Sequence, residues 1–413
     1  MVTLKLAEGE GVKLYGPMSI TVLSGKLGLY GKVVSSGERF VVHKARNYVV
    51  EALSTCELEV TMIDESQIQP LEPEDPYWEK KKVVEEIADR GYQKIVVLGC
   101  VDCGKTALVT MIYNVLKGRG HKVAVIDGDV GQADIGPPGF ITAGTSEGAV
   151  CWISELKPIA MRFIGDIKPQ HFMHTIAKEL SRLAEKALVL GYSKVVIDTD
   201  GWVGDESAIA YKHRIVEELK PDAIVAIGED LQKLFSKYSK LGVAVYTVKP
   251  PVHRKTRSRE ERRMLRSFKY REYLENAPLV RVRLDEVIVY GLPILQGIPV
   301  EGSSIANLIE GKVLYASRMP GALYVYGFVK SFNAEELKKL GFEKIKTYQA
   351  GFEKSLYCAV GAYGESEYPC IIEKLDFEKG EVVLRTKYTG KIDVIKVSKI
   401  RLTQDYLEEY IEV

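Results

Sequence analysis

The residues with the plainest chemistry are Gly99-Cys100-Val101-Asp102-Cys103-Gly104-Lys105-Thr106, which fit G-x-x-x-x-G-K-[ST]. Glycines at both ends of the variable stretch let backbone N–H groups wrap phosphates, and a helix opening beside them adds its partial positive charge. Lys105 is placed to reach the β- and γ-phosphates of a nucleoside triphosphate, and the Thr106 hydroxyl to ligate Mg²⁺ or another divalent cation. Cys100 and Cys103 have Cys-x-x-Cys spacing, but no second Cys or Cys/His pair completes a metal site. They occupy variable positions of the loop and read as small residues.

Three further groups of residues point the same way. Val125-Ile126-Asp127-Gly128-Asp129-Val130-Gly131-Gln132 puts two carboxylates after an apolar run. A carboxylate there can hold magnesium or its water shell, or accept a proton from an attacking hydroxyl. An Asp-Gly turn would account for Asp127-Gly128 alone, but not for a second Asp and a Gln. Val195-Val196-Ile197-Asp198-Thr199-Asp200-Gly201-Trp202-Val203 supplies another strand-end acid, Asp198, as a magnesium-binding element. Trp202 follows a glycine outside any apolar stripe, so it could stack on a base or join a core. The segment from His253 to Arg271 carries nine Lys and Arg residues, Arg254 and Lys255 among them, against Glu260 and Glu261. A solvated helix usually mixes its signs, so this excess suits either closure over a triphosphate or a polyanionic acceptor.

Such residues need a scaffold that brings strand ends together. Short apolar runs at Lys94–Leu98, 123–126, 195–197, Ala223–Ile227 and 243–248 alternate with helical stretches, including 78–89 and 106–116. That rhythm predicts an α/β fold, a P-loop-type parallel sheet with helices on both faces. Ligands of such sheets sit at the carboxyl ends of the strands. Residues 1–70 alternate apolar and polar side chains between turn glycines, which predicts an N-terminal β-sandwich-like domain. Pro70, Pro73 and Pro76 mark a linker. A P-loop domain over 71–280, with a basic lid at 253–271, precedes a mainly β domain over 281–413.

Composition narrows the class. With 46% hydrophobic and 27% charged residues the chain is an ordinary folded protein. Its net charge of +1 gives no overall attraction to nucleic acid or membrane, so any basic site must be local. No signal peptide and no apolar run near the roughly 18 residues of a membrane span is seen. Six scattered cysteines do not make a disulfide framework. A reduced, cytoplasmic protein is expected. Gly228-Glu229-Asp230 stands where a GTPase would carry Asn-Lys-x-Asp, and no Leu-Ser-Gly-Gly-Gln signature marks a transporter ATPase.

Together the four elements resemble the polynucleotide 5′-hydroxyl kinases related to the pre-mRNA cleavage-complex subunit and the ribosomal-RNA processing kinase, in an archaeal-type form. The matching stretches are Asp102–Thr106, Asp129–Gln132, Thr199–Val203 and, for an arginine-bearing lid, Arg257–Arg263. The resemblance implies that Lys105 and Thr106 bind ATP and Mg²⁺; by their strand-end positions Asp127, Asp129 and Asp198 are further candidate metal-site acids. It implies that Asp129 orients or deprotonates an RNA 5′-hydroxyl, and that Arg257 and Arg262 neutralise the transferring phosphate. Thr199 and Trp202 would clasp the terminal nucleotide of single-stranded RNA, with DNA a further acceptor, and Gln132 is a further candidate for RNA binding. The N-terminal β domain would help hold the adenine. An RNA-processing nuclease or ligase is the partner class. Two alternatives stay open: an inactive ATP-binding scaffold of an RNA-processing complex, and a small-metabolite P-loop kinase.

Overall fold

The computed structural model describes residues 2–44, 46–63, 66–251 and 257–412. Backbone contacts divide the chain into two units, the first of Met1–Gly136, Ile141–Ala160 and Lys168–Glu261, the second of Pro137–Phe140, Met161–Ile167 and Arg262–Val413.

In the first unit the N-terminal strands form two antiparallel sheets, one of four strands and one of five. Strands Gly11–Tyr15 and Met18–Ser24 bury alternate residues, as the two-residue repeat dictates for sheets with one wet face. Of the prolines after them, Pro70 ends the last strand, and Pro76 opens helix Pro76–Asp89 behind the N-cap Asp75.

The central sheet runs in the order Lys157–Phe163, Phe140–Thr145, Val123–Asp127, Lys194–Asp198, Lys94–Leu98, Ala223–Ile227, Ala244–Val248. The last five are parallel to one another, and Phe140–Thr145 is antiparallel to its neighbour. The parallel strands Val123–Asp127, Lys194–Asp198 and Ala223–Ile227 are buried at every position, which is why they read as unbroken apolar runs. From Lys94–Leu98 the chain first builds outward on one side, then crosses to Ala223–Ile227 on the other. That reversal makes the end of Lys94–Leu98 a topological switch point. The strands of both N-terminal sheets share one core with the P-loop helix Lys105–Gly118: Leu14, Ile20 and Leu27 pack in the same cluster as Leu108 and Ile112. Asn114 of that helix is buried, donating to the Tyr30 and Val150 carbonyls at 2.9 and 2.8 Å and accepting from Val150 N at 2.9 Å.

The second unit is mainly β, with a sheet containing Leu279–Arg283, Glu381–Thr386, Tyr368–Asp376, Leu356–Gly361, Val394–Leu402 and Ile288–Tyr290, and a four-stranded sheet around the long hairpin Ile309–Met319 and Ala322–Phe332. The expectation of uniformly reduced cysteines is corrected here. Antiparallel register sets Cys358 opposite Cys370 with Cα atoms 5.0 Å apart, and the two are joined in a disulfide. Such a pairing is invisible without the register. Among the described residues no helix is long and apolar enough to cross a membrane.

Candidate active site

The P-loop follows its strand into the helix N-terminus as the motif requires. Gly104, the N-cap, has φ +87°, a conformation that side-chain-bearing residues rarely adopt. Lys105 is buried and donates to the Cys100 carbonyl at 2.8 Å, so its ammonium lies folded across the loop. Cys103 is fully buried, and its contact with Cys100, then burial, pushes its thiol far up.

Two acid-bearing strands end beside this loop. The Thr106 hydroxyl donates to Asp198 Oδ2 at 2.9 Å, while Asp198 Oδ1 is buried with no hydrogen-bond partner among the described residues. Burial pushes the Asp198 carboxyl up to about 7, against the opposing pull of Lys105 and the Thr106 hydroxyl. An orphaned buried carboxylate oxygen beside a hydroxyl is an oxygen donor set that suits a hard divalent cation. Among the described residues no group of three His, Cys, Asp or Glu side chains forms an all-protein metal cage.

Asp127 and Asp129 divide differently. Asp127 is buried, and both its oxygens accept backbone amides: Asp129 N at 3.2 Å on one, Asp134 N at 2.7 Å and Ile135 N at 3.0 Å on the other. Its carboxyl is raised well above the usual range by burial, then by Asp198 and Asp134. Asp129 accepts from Gly131 N at 3.0 Å and Gln132 N at 2.9 Å, through one oxygen only among the described residues. Burial, then the negative charge of Asp200, raises its carboxyl, opposed by Lys105. Asp129 is thus a half-engaged, more basic carboxylate within the field of the P-loop lysine. The Gln132 side chain donates to the Gly131 carbonyl at 2.7 Å and is half-buried.

The loop after Asp198 is tied down from beneath. Thr199 is buried and its hydroxyl donates to the Val97 carbonyl at 2.9 Å, which fixes the loop to the P-loop strand. Asp200 accepts from Trp202 N at 3.0 Å and from the Tyr211 hydroxyl at 2.9 Å, and it pairs with Lys212 Nζ at 2.9 Å. Gly201 passes so close to the P-loop that a Cβ there would lie 2.7 Å from Val101 Cα. Trp202 is half-buried, its indole N–H donates to Asp205 Oδ2 at 2.6 Å, and its ring lies 5.9 Å from that of Tyr211. Sequence reasoning overlooked Lys212. The signal was present: it lies in the buried helical stripe Ala208, Tyr211, Ile215, Val216, Leu219, where a lysine needs an acid.

In the basic segment, Arg254 and Lys255 lie outside the described residues. Arg257 N approaches Asp102 Oδ2 at 3.4 Å, which sets this residue against the P-loop. Ser258 and Glu261 then form a reciprocal cap, Ser258 N to Glu261 Oε2 at 2.7 Å and Glu261 N to Ser258 Oγ at 3.1 Å, that starts helix Arg259–Leu274. From Arg262 on, this helix groups with the second unit. There Arg263 donates to the Glu408 carbonyl at 3.0 Å and Arg266 Nε to its carboxylate at 3.0 Å, so two of the arginines secure an acidic partner.

A pocket with roughly 700 Å³ of empty space, its open mouth included, runs from the P-loop to the N-terminal sheets. Gly104, Ala107, Leu108 and Met111 line one side, Tyr15, Tyr30, Asn47 and Tyr48 the other. Its aromatic and amide lining suits a nucleoside. These N-terminal residues carry no motif, and only the tertiary fold brings them to the loop.

Comparison with known proteins places these features in company. Residues 99–276 match the family described as mRNA cleavage and polyadenylation factor CLP1 P-loop. The chain is 32% identical to a polyribonucleotide 5′-hydroxyl-kinase of Pyrococcus furiosus, over 81% of this chain and 93% of that protein. It is also 32% identical to one of Thermococcus kodakarensis, over 78% and 92%. Its fold is similar to that of Clp1p in the solved Clp1p–Pcf11p complex, with a TM-score of 0.62 at 13% identity, covering 97% of each chain.

Proposed function

This chain belongs to the family of polyribonucleotide 5′-hydroxyl-kinases, and on that footing we propose that it transfers the γ-phosphate of ATP to the 5′-hydroxyl end of RNA. The observation that supports this reading best is the meeting of donor and acceptor groups at one sheet edge. Lys105 and Thr106 stand on the P-loop, Asp198 hydrogen-bonds Thr106, and Asp129 keeps one oxygen unengaged among the described residues.

In this reading the P-loop amides and Lys105 take the ATP phosphates, Lys105 leaving the Cys100 carbonyl to do so. Thr106 and Asp198 would hold Mg²⁺, which neutralises charge on the phosphates when bound. Asp129 orients the RNA hydroxyl and accepts its proton as the hydroxyl oxygen bonds to the γ-phosphorus. The bond from that phosphorus to the β–γ bridging oxygen breaks, and ADP leaves. A raised Asp129 carboxyl makes it a better base than an ordinary aspartate. Asp127 shapes the loop that presents Asp129, and Thr199 anchors the loop that presents Trp202. Trp202 and Gln132 would meet the terminal nucleotide, and Arg257 and Arg262 would steady the transferring phosphate. DNA is a second acceptor to test, and a nuclease or ligase acting on the same ends is the partner class. The cytoplasm is the location this reading assigns.

The test offers 5′-hydroxyl RNA, matching DNA and free nucleosides to the protein with Mg²⁺ and γ-labelled ATP. Label on RNA is expected, with none after Lys105→Ala. Label on nucleosides as readily as on RNA would favour a metabolite kinase. ATP binding without any transfer would favour a scaffold.

A further inference from the structure

The nucleotide pocket holds a cation that the mechanism above does not use. Lys80 lies on helix Pro76–Asp89, three residues after buried Tyr77 and four before buried Val84, so it shares the helix's inward stripe. It lines the pocket together with Gly104 and Pro251. Its Nζ stands 3.6 Å from where a Cβ on Gly104 would be, at the N-terminus of the P-loop helix. Burial lowers its proton affinity, against weaker support from Cys103, Asp75 and Glu79.

Two acids near this face of the helix are already committed. Asp75 pairs with Lys13 and caps Tyr77 N at 2.9 Å, and Glu51 pairs with Lys81 at 2.7 Å. Among the described residues Lys80 makes no hydrogen bond and no ion pair. A half-buried ammonium that no carboxylate pairs among the described residues is placed to meet an incoming anion. The anion that the P-loop admits is the polyphosphate of a nucleotide.

We propose that Lys80 is a second cationic ligand of the bound nucleotide, meeting its phosphates from the pocket side of Gly104 while Lys105 meets them from within the loop. This rests on the kinase reading only in taking the P-loop ligand to be a nucleotide. Lys80 therefore serves ground-state binding of the diphosphate as much as the triphosphate. It is not a catalytic base or a metal ligand.

Calorimetric titration of the full chain with adenosine, ADP and ATP tests this. In Lys80→Met, ADP and ATP affinity should each fall about tenfold or more, the scale of one charge-assisted hydrogen bond, with adenosine unchanged. Lys80→Arg should restore most of the loss. The nucleotide-free Tm of Lys80→Met should hold or rise, because an uncompensated charge has gone. Unchanged ADP and ATP affinity would overturn the proposal. So would an equal loss for adenosine, or a nucleotide-free Tm that falls, since either marks a packing role. No RNA enters these titrations. A protein that labels no RNA yet loses ADP affinity in Lys80→Met would refute the kinase reading and leave this one standing.

Discussion

Asp127 and Asp129 are two residues apart and chemically identical, yet the backbone separates their tasks. Amide donors saturate both oxygens of Asp127, while Asp129 receives donors on one oxygen and stays within the field of Lys105. Asp129→Asn keeps the shape and most of the loop bonds but cannot take a proton. It should leave ATP affinity nearly unchanged and cut kcat by about 10²-fold or more. Full transfer by the variant in a single-turnover assay would remove Asp129 as the base. Asp198 carries a pH signature. Its folded carboxyl titrates at about 7 against an ordinary value of 3.8. The native state therefore holds a proton that the unfolded chain has released. Its stabilising contribution is full below 3.8 and is lost as pH rises toward about 7. The Tm of the nucleotide-free protein should decline across that window, and Asp198→Asn should show a shallower decline. Asp127 pushes in the same direction, so some slope should remain. An identical slope in the variant would contradict the assignment.

At the scale of elements, the loop Thr199–Asp205 is held by parts of two others. Lys212 on helix Glu206–Leu219 neutralises Asp200, whose other bonds fix Trp202 N and the Tyr211 hydroxyl. Lys212 is 0% exposed, so removing it strands Asp200 as a buried, unpaired charge. Lys212→Met should cost about 3–5 kcal/mol of stability, read as a lower midpoint in urea. Trp202→Ala tests the other end of the loop. The apparent KM for RNA should rise several-fold with the KM for ATP nearly constant. An unchanged RNA KM would return Trp202 to a packing role against Tyr211. The loop's dependence on a lysine 12 positions downstream was legible only as an anomaly, one charged residue in an apolar helical stripe.

Across the first unit, the N-terminal sheets and the P-loop domain are joined in one core, and Asn114 is a bond of that union. Its side chain satisfies the Tyr30 carbonyl and both backbone groups of Val150 from within the P-loop helix. Asn114→Leu would leave three buried polar groups without partners. It should destabilise this unit by at least 2 kcal/mol, at about 1–3 kcal/mol per stranded group, and ATP should rescue part of the lost Tm. A neutral effect on the chemical denaturation midpoint would argue that the union is held elsewhere. The amino-acid sequence by itself determined the P-loop, the parallel strands that carry it and the strand-end acids. These are local or periodic features, written in residues a few positions apart. It could not show which acid is saturated by amides, that Lys80 and Lys212 point inward, or that Tyr15, Tyr30 and Tyr48 face the P-loop. Nor could it pair Cys358 with Cys370. Those depend on register and on packing between segments far apart in the chain, and such distances are set only when the whole core closes.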